Sequence, residues 1–225
     1  MEHTFGTGVG AARSPVVIDH HPALRAVKRG IDIVGSSVLI VLLLPFALIV
    51  SLAIVVDSRG PVLFLQRRVG RGGAEFPLIK FRTMVRDGEA ALEAHVQADE
   101  SLRREWEQSR KLRNDPRVTR LGSFLRRFSL DELPQLLNVF VGNMSLVGPR
   151  PVPREELAYF GDRAEQIVKV RPGLTGLWAV SGRSEISYEE RVKLEHRYVV
   201  EWSLRMDAVI LLKTIPAVLR GHGAY

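Results

Sequence analysis

The stretch IVGSSVLIVLLLPFALIVSLAIVV, Ile33 to Val56, carries no charge over 24 positions, enough helix to cross the hydrocarbon core of a bilayer. A signal peptide fits it poorly: it is too long, starts too late and ends without a small-residue cleavage pattern. A buried core helix is disfavoured by the length of continuous apolarity. Basic residues flank it on both sides, Arg25, Lys28 and Arg29 before it and Arg59, Arg67, Arg68 and Arg71 after it. The positive-inside rule therefore places both ends in the cytoplasm. Pro45, near the middle, removes a backbone bond and kinks or breaks a helix. Together these features predict a re-entrant membrane helix hairpin over residues 25–58, with a kinked spanning helix as the alternative.

Outward from this segment, residues 1–24 show neither helical nor strand periodicity and read as a flexible arm. His20 and His21 have no spaced partner that would make them a metal site. The 225 residues suffice for one ordinary domain, assigned to residues 59–225. The chain has no cysteine, which excludes disulfides and thiolate metal sites. A formal charge of +7 and a pI near 10.1 favour acidic partners such as nucleic acid, anionic lipid or phosphorylated small molecules. The apolar segment selects the membrane among these, and no nucleic-acid partner is expected.

After the membrane segment, PVLFLQRRVG and FPLIKFRTM are short apolar runs separated by Gly70, Gly72 and Gly73, the pattern of a β-hairpin. The glycine spacing matches neither a P-loop nor a dinucleotide fingerprint. Residues 87–112 alternate acids and bases as a surface helix or helix pair does, with Trp106 as a packing anchor. From Ser187 to the end, apolar residues recur at helical spacing among Trp202, Arg205, Lys213 and Arg220, which suits helices lying in a membrane interface or covering a soluble core. Pro216 is expected to kink or end the helix before it.

The chemistry concentrates in RRFSLDELPQLLNVFVGNMSLVGPRP, Arg126 to Pro151. S-L-D-E reads as a capping box with Ser129 as N-cap and Glu132 three residues on. A register with Asp131 as N-cap spares Pro134 the loss of a backbone bond. Either way the acids sit in a first helical turn, where the dipole favours the ionised form needed by a nucleophile or metal ligand. A purely structural cap is the competing reading. Arg126 and Arg127 before the acids, and Gly148-Pro149-Arg150-Pro151 after them, favour chemistry, because guanidinium forks match phosphate oxygens. Further on, Arg171-Pro172-Gly173 and Ser181-Gly182-Arg183 frame a loop around Trp178 that could hold a nucleotide by stacking and phosphate contacts, or simply turn.

With GPVLFLQRRVGRGG, KFRTM, SLDELPQLLNVFVGNMSLVGPRP, RPGLTGLWAVSGRS, SYEERVKLEHRYV and the terminal GAY in order, the chain resembles the bacterial sugar transferases, monotopic polyprenyl-phosphate phosphoglycosyl transferases. The resemblance covers nearly all of residues 25 to 225. It implies an α+β, mostly helical fold: a re-entrant membrane hairpin, then a compact cytoplasmic catalytic domain with a small β-hairpin and interfacial helices, at the bacterial inner membrane. It also implies transfer of a sugar phosphate from a UDP-sugar to polyprenyl (undecaprenyl) phosphate, with Mg²⁺ as cofactor and UMP released. Asp131 would be the nucleophile that carries the phosphosugar. Glu132, with Asp131, would bind the metal, and Lys80, Arg126, Pro149, Arg150, Arg171 and Arg183 would line the phosphate and substrate site. Membrane lipid is the surrounding partner, and association of copies of the chain is left open. Three positions depart from the family pattern. Leu44 replaces a serine whose hydroxyl would serve a carbonyl freed by Pro45; Asn143 stands for an acid, and Ala179 for a glutamine. Nothing in the chain corresponds to the additional membrane helices and domain of the larger members, so it is expected to be the minimal form or a trimmed catalytic portion. The rivals are a non-catalytic basic membrane adaptor, and a lipid-linked glycosyl transfer that releases UDP without a covalent intermediate.

Overall fold

In the computed structural model, which describes residues 22–86, 88–109, 112, 115–182 and 186–220, the apolar segment is the body of one helix, α1 (Pro22–Asp57), with Pro45 inside it. The expected pair of helices is thus a single element. Residues 22–24, assigned to the arm, open this helix, and the rest of the arm lies outside the described residues. Buried Asp32, Ser36, Val50 and Ile54 recur at helical spacing, with Leu39, Ile40, Leu43 and Ala47 packed between them. They form one stripe against the rest of the protein. The other faces stay open: Val34, Val41, Leu42, Leu48, Leu52 and Val56 are exposed, and only 11% of the most apolar 18-residue window is buried. That exposure excludes a core helix.

Both ends of α1 are tied to the same body. At the start, Lys28 Nζ donates to the Val147 carbonyl at 3.0 Å and pairs with Asp207. The Arg29 guanidinium donates to the carbonyls of Val139 and Phe140, each at 2.6 Å. Buried Asp32 accepts from the Ser145 hydroxyl and the Leu146 N–H, each at 2.9 Å. At the far end, Arg82 donates to the Ser58 carbonyl at 2.6 Å and the Arg59 carbonyl at 3.0 Å, serving carbonyls that a helix end leaves without partners.

The expected hairpin forms. β1 (Leu63–Val69) pairs antiparallel with β2 (Glu75–Phe81), in register from Leu63↔Phe81 to Val69↔Glu75. Gly72 and Gly73 take φ of 72° and 78° at its turn, a region that costs glycine nothing. Two helices follow, α2 (Glu89–Ala98) and α3 (Glu100–Ser109). Then come α4 (Arg120–Arg127) and α5 (Gln135–Val141), followed by β3 (Ser145–Val147), which pairs in parallel with β4 (Gly173–Thr175) around α6 (Ala164–Ile167). Runs of three residues are too short to show a period, so this second pair has no sequence signal. It does need glycine: a Cβ on Gly173 would meet the backbone nitrogen of Gly148, and one on Gly148 the Arg171 carbonyl. α7 (Tyr188–Glu201) and α8 (Leu204–Arg220) complete the fold, and Pro216 does not end α8. The main core joins Phe76 and Leu78 of the hairpin, Leu136 and Val139 of α5, and Tyr198, Val199 and Ile210 of α7 and α8.

Candidate active site

The acid pair lies on a short link between two helix ends. Ser129 takes φ 55° and ψ 24°, the left-handed region, and its side chain makes no cap bond. Its N–H bonds to the Arg126 carbonyl at 2.9 Å. It therefore finishes α4, and its carbonyl accepts from the Glu132 N–H at 3.2 Å to open the next turn. Leu130–Glu132 form one 3-10 turn, and Pro134 occupies the N-cap position of α5. The expected side-chain cap by Ser129 and the N-cap role of Asp131 are corrected, while both acids do lie in the first turn of a short helix as expected. S-x-x-E is equally compatible with a left-handed helix stop followed by a tight turn, and Pro134 at the N-cap costs no backbone bond. Ser129 is the non-glycine residue with positive φ among the described residues, and such strain gathers at functional sites.

β2 delivers the cation. Asn138 of α5, fully buried, accepts from the Ile79 N–H at 3.0 Å and donates to the Pro77 carbonyl at 2.8 Å. Its amide works as a strand partner and fixes α5 against β2. Lys80 then reaches Glu132 Oε1 at 2.7 Å and Asp131 Oδ2 at 3.7 Å. Three residues along, Thr83 Oγ1 accepts from Arg126 Nε at 2.9 Å, aiming that guanidinium toward Asp131, whose charge it feels. Asp131 is 8% exposed. Burial pushes its carboxyl up to about 6; Lys80 and Arg126 pull it down, and Glu132 pushes it further up. Desolvation thus outweighs the favourable dipole that local pattern implies. The group is still mostly ionised at neutral pH, and a carboxylate stripped of water is a stronger nucleophile than a hydrated one.

The GPRP turn brings Arg150 to a different wall. Its N–H donates to Glu195 Oε1 at 3.1 Å, and its guanidinium lies 4.9 Å from the centre of the Trp178 ring. Pro149 contributes its carbonyl, which accepts from the Gly173 N–H at 2.7 Å. Trp178 also carries the Arg191 guanidinium at 5.2 Å. The ring that the sequence offered to a base is already engaged by two cations. Arg171, expected to bind phosphate, is not brought to the acid pair: its Nε donates at 2.8 Å to the carbonyl of Gly142, at the end of α5 away from the acids. Arg183 lies outside the described residues.

Four participants escaped the sequence reading. Arg82 and Thr83 sit inside KFRTM, but only the fold shows that one binds the backbone at the end of α1 and the other aims Arg126. Arg191 and Glu195 lie on α7 at a spacing indistinguishable from a surface helix face. Among the described residues, no cluster of three acids or histidines is assembled that could hold a metal unaided. Two adjacent carboxylates do fit a magnesium ion that takes its remaining ligands from substrate phosphates and water. The arrangement as a whole, a desolvated carboxylate between a lysine and an arginine, suits attack on an anionic phosphorus centre.

The profile of the bacterial sugar transferase family matches residues 23–221. An exopolysaccharide production protein, ExoY, of Rhizobium meliloti is 46% identical over 198 residues, 88% of each chain. A UDP-galactose-lipid carrier transferase of Erwinia amylovora is 48% identical over 201 residues, 89% of this chain but 42% of that protein, so this chain spans less than half of it. A UDP-glucose:undecaprenyl-phosphate glucose-1-phosphate transferase of Caulobacter vibrioides is 39% identical over 206 residues, 88% of this chain and 72% of the relative.

Proposed function

The chain belongs to the bacterial sugar transferase family, and from that premise we propose that it moves a sugar phosphate from a UDP-sugar to undecaprenyl phosphate, at the membrane step of exopolysaccharide or capsule synthesis. The observation that carries the reading is Asp131, buried beside Glu132 with Lys80 on one side and Arg126 on the other. An Asp131 oxygen attacks the sugar-bearing phosphorus of the donor. The bond from that phosphorus to the bridging oxygen breaks, and UMP departs with the electron pair. The phosphosugar remains as an acyl phosphate on Asp131. An oxygen of undecaprenyl phosphate then attacks the same phosphorus, the bond to Asp131 breaks, and the carboxylate is regenerated with a polyprenyl diphosphosugar as product. Lys80 and Arg126 balance charge on the non-bridging oxygens as the transition state forms, and Arg150 holds the donor diphosphate. Glu132, with Asp131 beside it, would hold Mg²⁺ together with the donor phosphates, where the ion neutralises pyrophosphate charge.

The acceptor reaches this site from the lipid. Exposed apolar side chains of α1 are joined by Leu63, Phe64 and Leu65 at the start of β1, and by Phe124, Phe140 and Val141, a surface suited to the interfacial zone of one leaflet. Attachment of both ends of α1 to one body supports a re-entrant helix with the domain on the cytoplasmic face. Nucleotide release from a panel of UDP-sugars, with undecaprenyl phosphate and Mg²⁺, tests the proposal. UMP release that Asp131→Asn abolishes is expected. UDP release, or retained turnover in the variant, overturns it.

A further inference from the structure

The β1–β2 hairpin acts as a ruler across the site. Cross-strand partners share a face, so Lys80 with Phe64, Leu78 with Gln66 and Phe76 with Arg68 lie along one side. Lys80 stands one position from the end joined to α1, and Arg68 one position from the Gly-rich turn. Four residues separate the two levels, about 13 Å of strand. Arg68 donates from Nη2 to Gln66 Oε1 at 2.6 Å, while its Nε is buried and has no partner among the described residues.

Facing it are the two guanidinium groups on Trp178. Arg191 spends one nitrogen, Nη1, on Glu156 at 2.8 Å and lies 5.3 Å from the Tyr188 ring centre; its Nε and Nη2 are buried without partners among the described residues. Glu195, 1% exposed, uses one oxygen on the Arg150 N–H and leaves the other without a partner among the described residues. Three arginines converge here against Glu156 and Glu195. Arg68 feels the charges of Arg150 and Arg191, and that of Glu132 as well, and Lys80, which holds the acid pair, stands on the same face of the hairpin. Like charges with unspent, buried donors are costly by themselves and become favourable around a phosphate.

We propose that Arg68, Arg150 and Arg191, set by Trp178 and Glu195, form a second phosphate subsite that holds the nucleotide-side phosphate of the donor and retains the nucleoside monophosphate after it leaves. The identity of the nucleotide rests on the function proposed above; the phosphate chemistry does not. The ruler supplies the direction. Lipid phosphate arrives at the end of the hairpin joined to α1, where Lys80 and Arg126 lie, and the nucleotide occupies the end by the turn.

Equilibrium binding of UMP, and of uridine as the phosphate-free control, to the full chain in nanodiscs tests this. Arg191→Gln and Arg68→Gln are each expected to weaken UMP roughly tenfold or more. Arg191→Lys should weaken it less, and uridine should bind all of them alike. Asp131→Asn should bind UMP as wild type does. An unfolding measurement on each variant shows that it is folded, and Arg68→Gln serves where Arg191→Gln is not. The subsite is overturned if wild type does not bind UMP, if both glutamine variants bind it with wild-type affinity, or if uridine loses as much affinity as UMP. A different result sinks the proposed function alone: UMP bound through these arginines, but never released from any UDP-sugar.

Discussion

Replacing Asp131 by asparagine should make the protein more stable while removing its activity. The rise of the Asp131 carboxyl from its ordinary 3.8 to about 6 corresponds to about 3 kcal/mol at about 1.4 kcal/mol per pH unit. The folded state binds this proton more tightly than the unfolded chain does. The favourable contribution is therefore complete below pH 3.8 and is lost as pH rises through about 6. Asparagine mimics the neutral acid at every pH. Lys80 keeps Glu132 and Arg126 keeps Thr83 in its absence, so neither cation is stranded. Denaturant unfolding in a mild detergent with chelator, followed by tryptophan fluorescence, should show Asp131→Asn more stable by up to about 3 kcal/mol at pH 8, with the gap closing near pH 4. A variant no more stable than wild type at pH 8, or a gap that does not change with pH, would refute the reasoning. The cost would then not come from an ionised carboxylate held away from water.

The same ionisation predicts that kcat/KM falls about tenfold per pH unit below pH 6; a profile flat from pH 7 to pH 5 would show that ionised Asp131 is not required. Thr83→Val removes the acceptor that aims Arg126 and should lower kcat roughly tenfold with membrane attachment unchanged, as measured by turnover and flotation with vesicles. Unaltered kcat would mean that Arg126 needs no such guide. Asn138→Ala deletes two buried bonds to β2 and should destabilise the fold by about 2–3 kcal/mol and reduce turnover through Lys80. Denaturant midpoints and rates on the same preparation check both effects.

The apolar helix, the hairpin and the acid pair were legible in the sequence because each is a local pattern: a long uncharged run, two alternating runs around glycines, two carboxylates among arginines. The link around Ser129 was misread because its signature is shared by two opposite structures, a helix start and a left-handed stop. Only the packing of α4 against Thr83 and of α5 against β2 selects between them. Asp131's raised proton affinity was hidden for a related reason, since burial is set by the whole fold whereas the dipole argument needs only neighbours in sequence. Arg82, Arg191 and Glu195 find their partners at Ser58, Glu156 and Arg150, separations at which no periodicity survives. Arg171, a basic residue before Pro-Gly, likewise bonds where local pattern does not place it, to the carbonyl at the end of α5.

Within KFRTM, Lys80 touches the acids, and two positions later Arg82 grips the backbone just past the end of α1. The acid pair is therefore coupled to the position of that helix. On the proposed placement of α1 in one leaflet, a thicker or more tightly packed bilayer would shift the helix and carry the acid pair with it, toward or away from the plane of lipid phosphates. A link of two residues would then turn immersion into reach, and lipid composition would set how readily the proposed acceptor meets the acid pair.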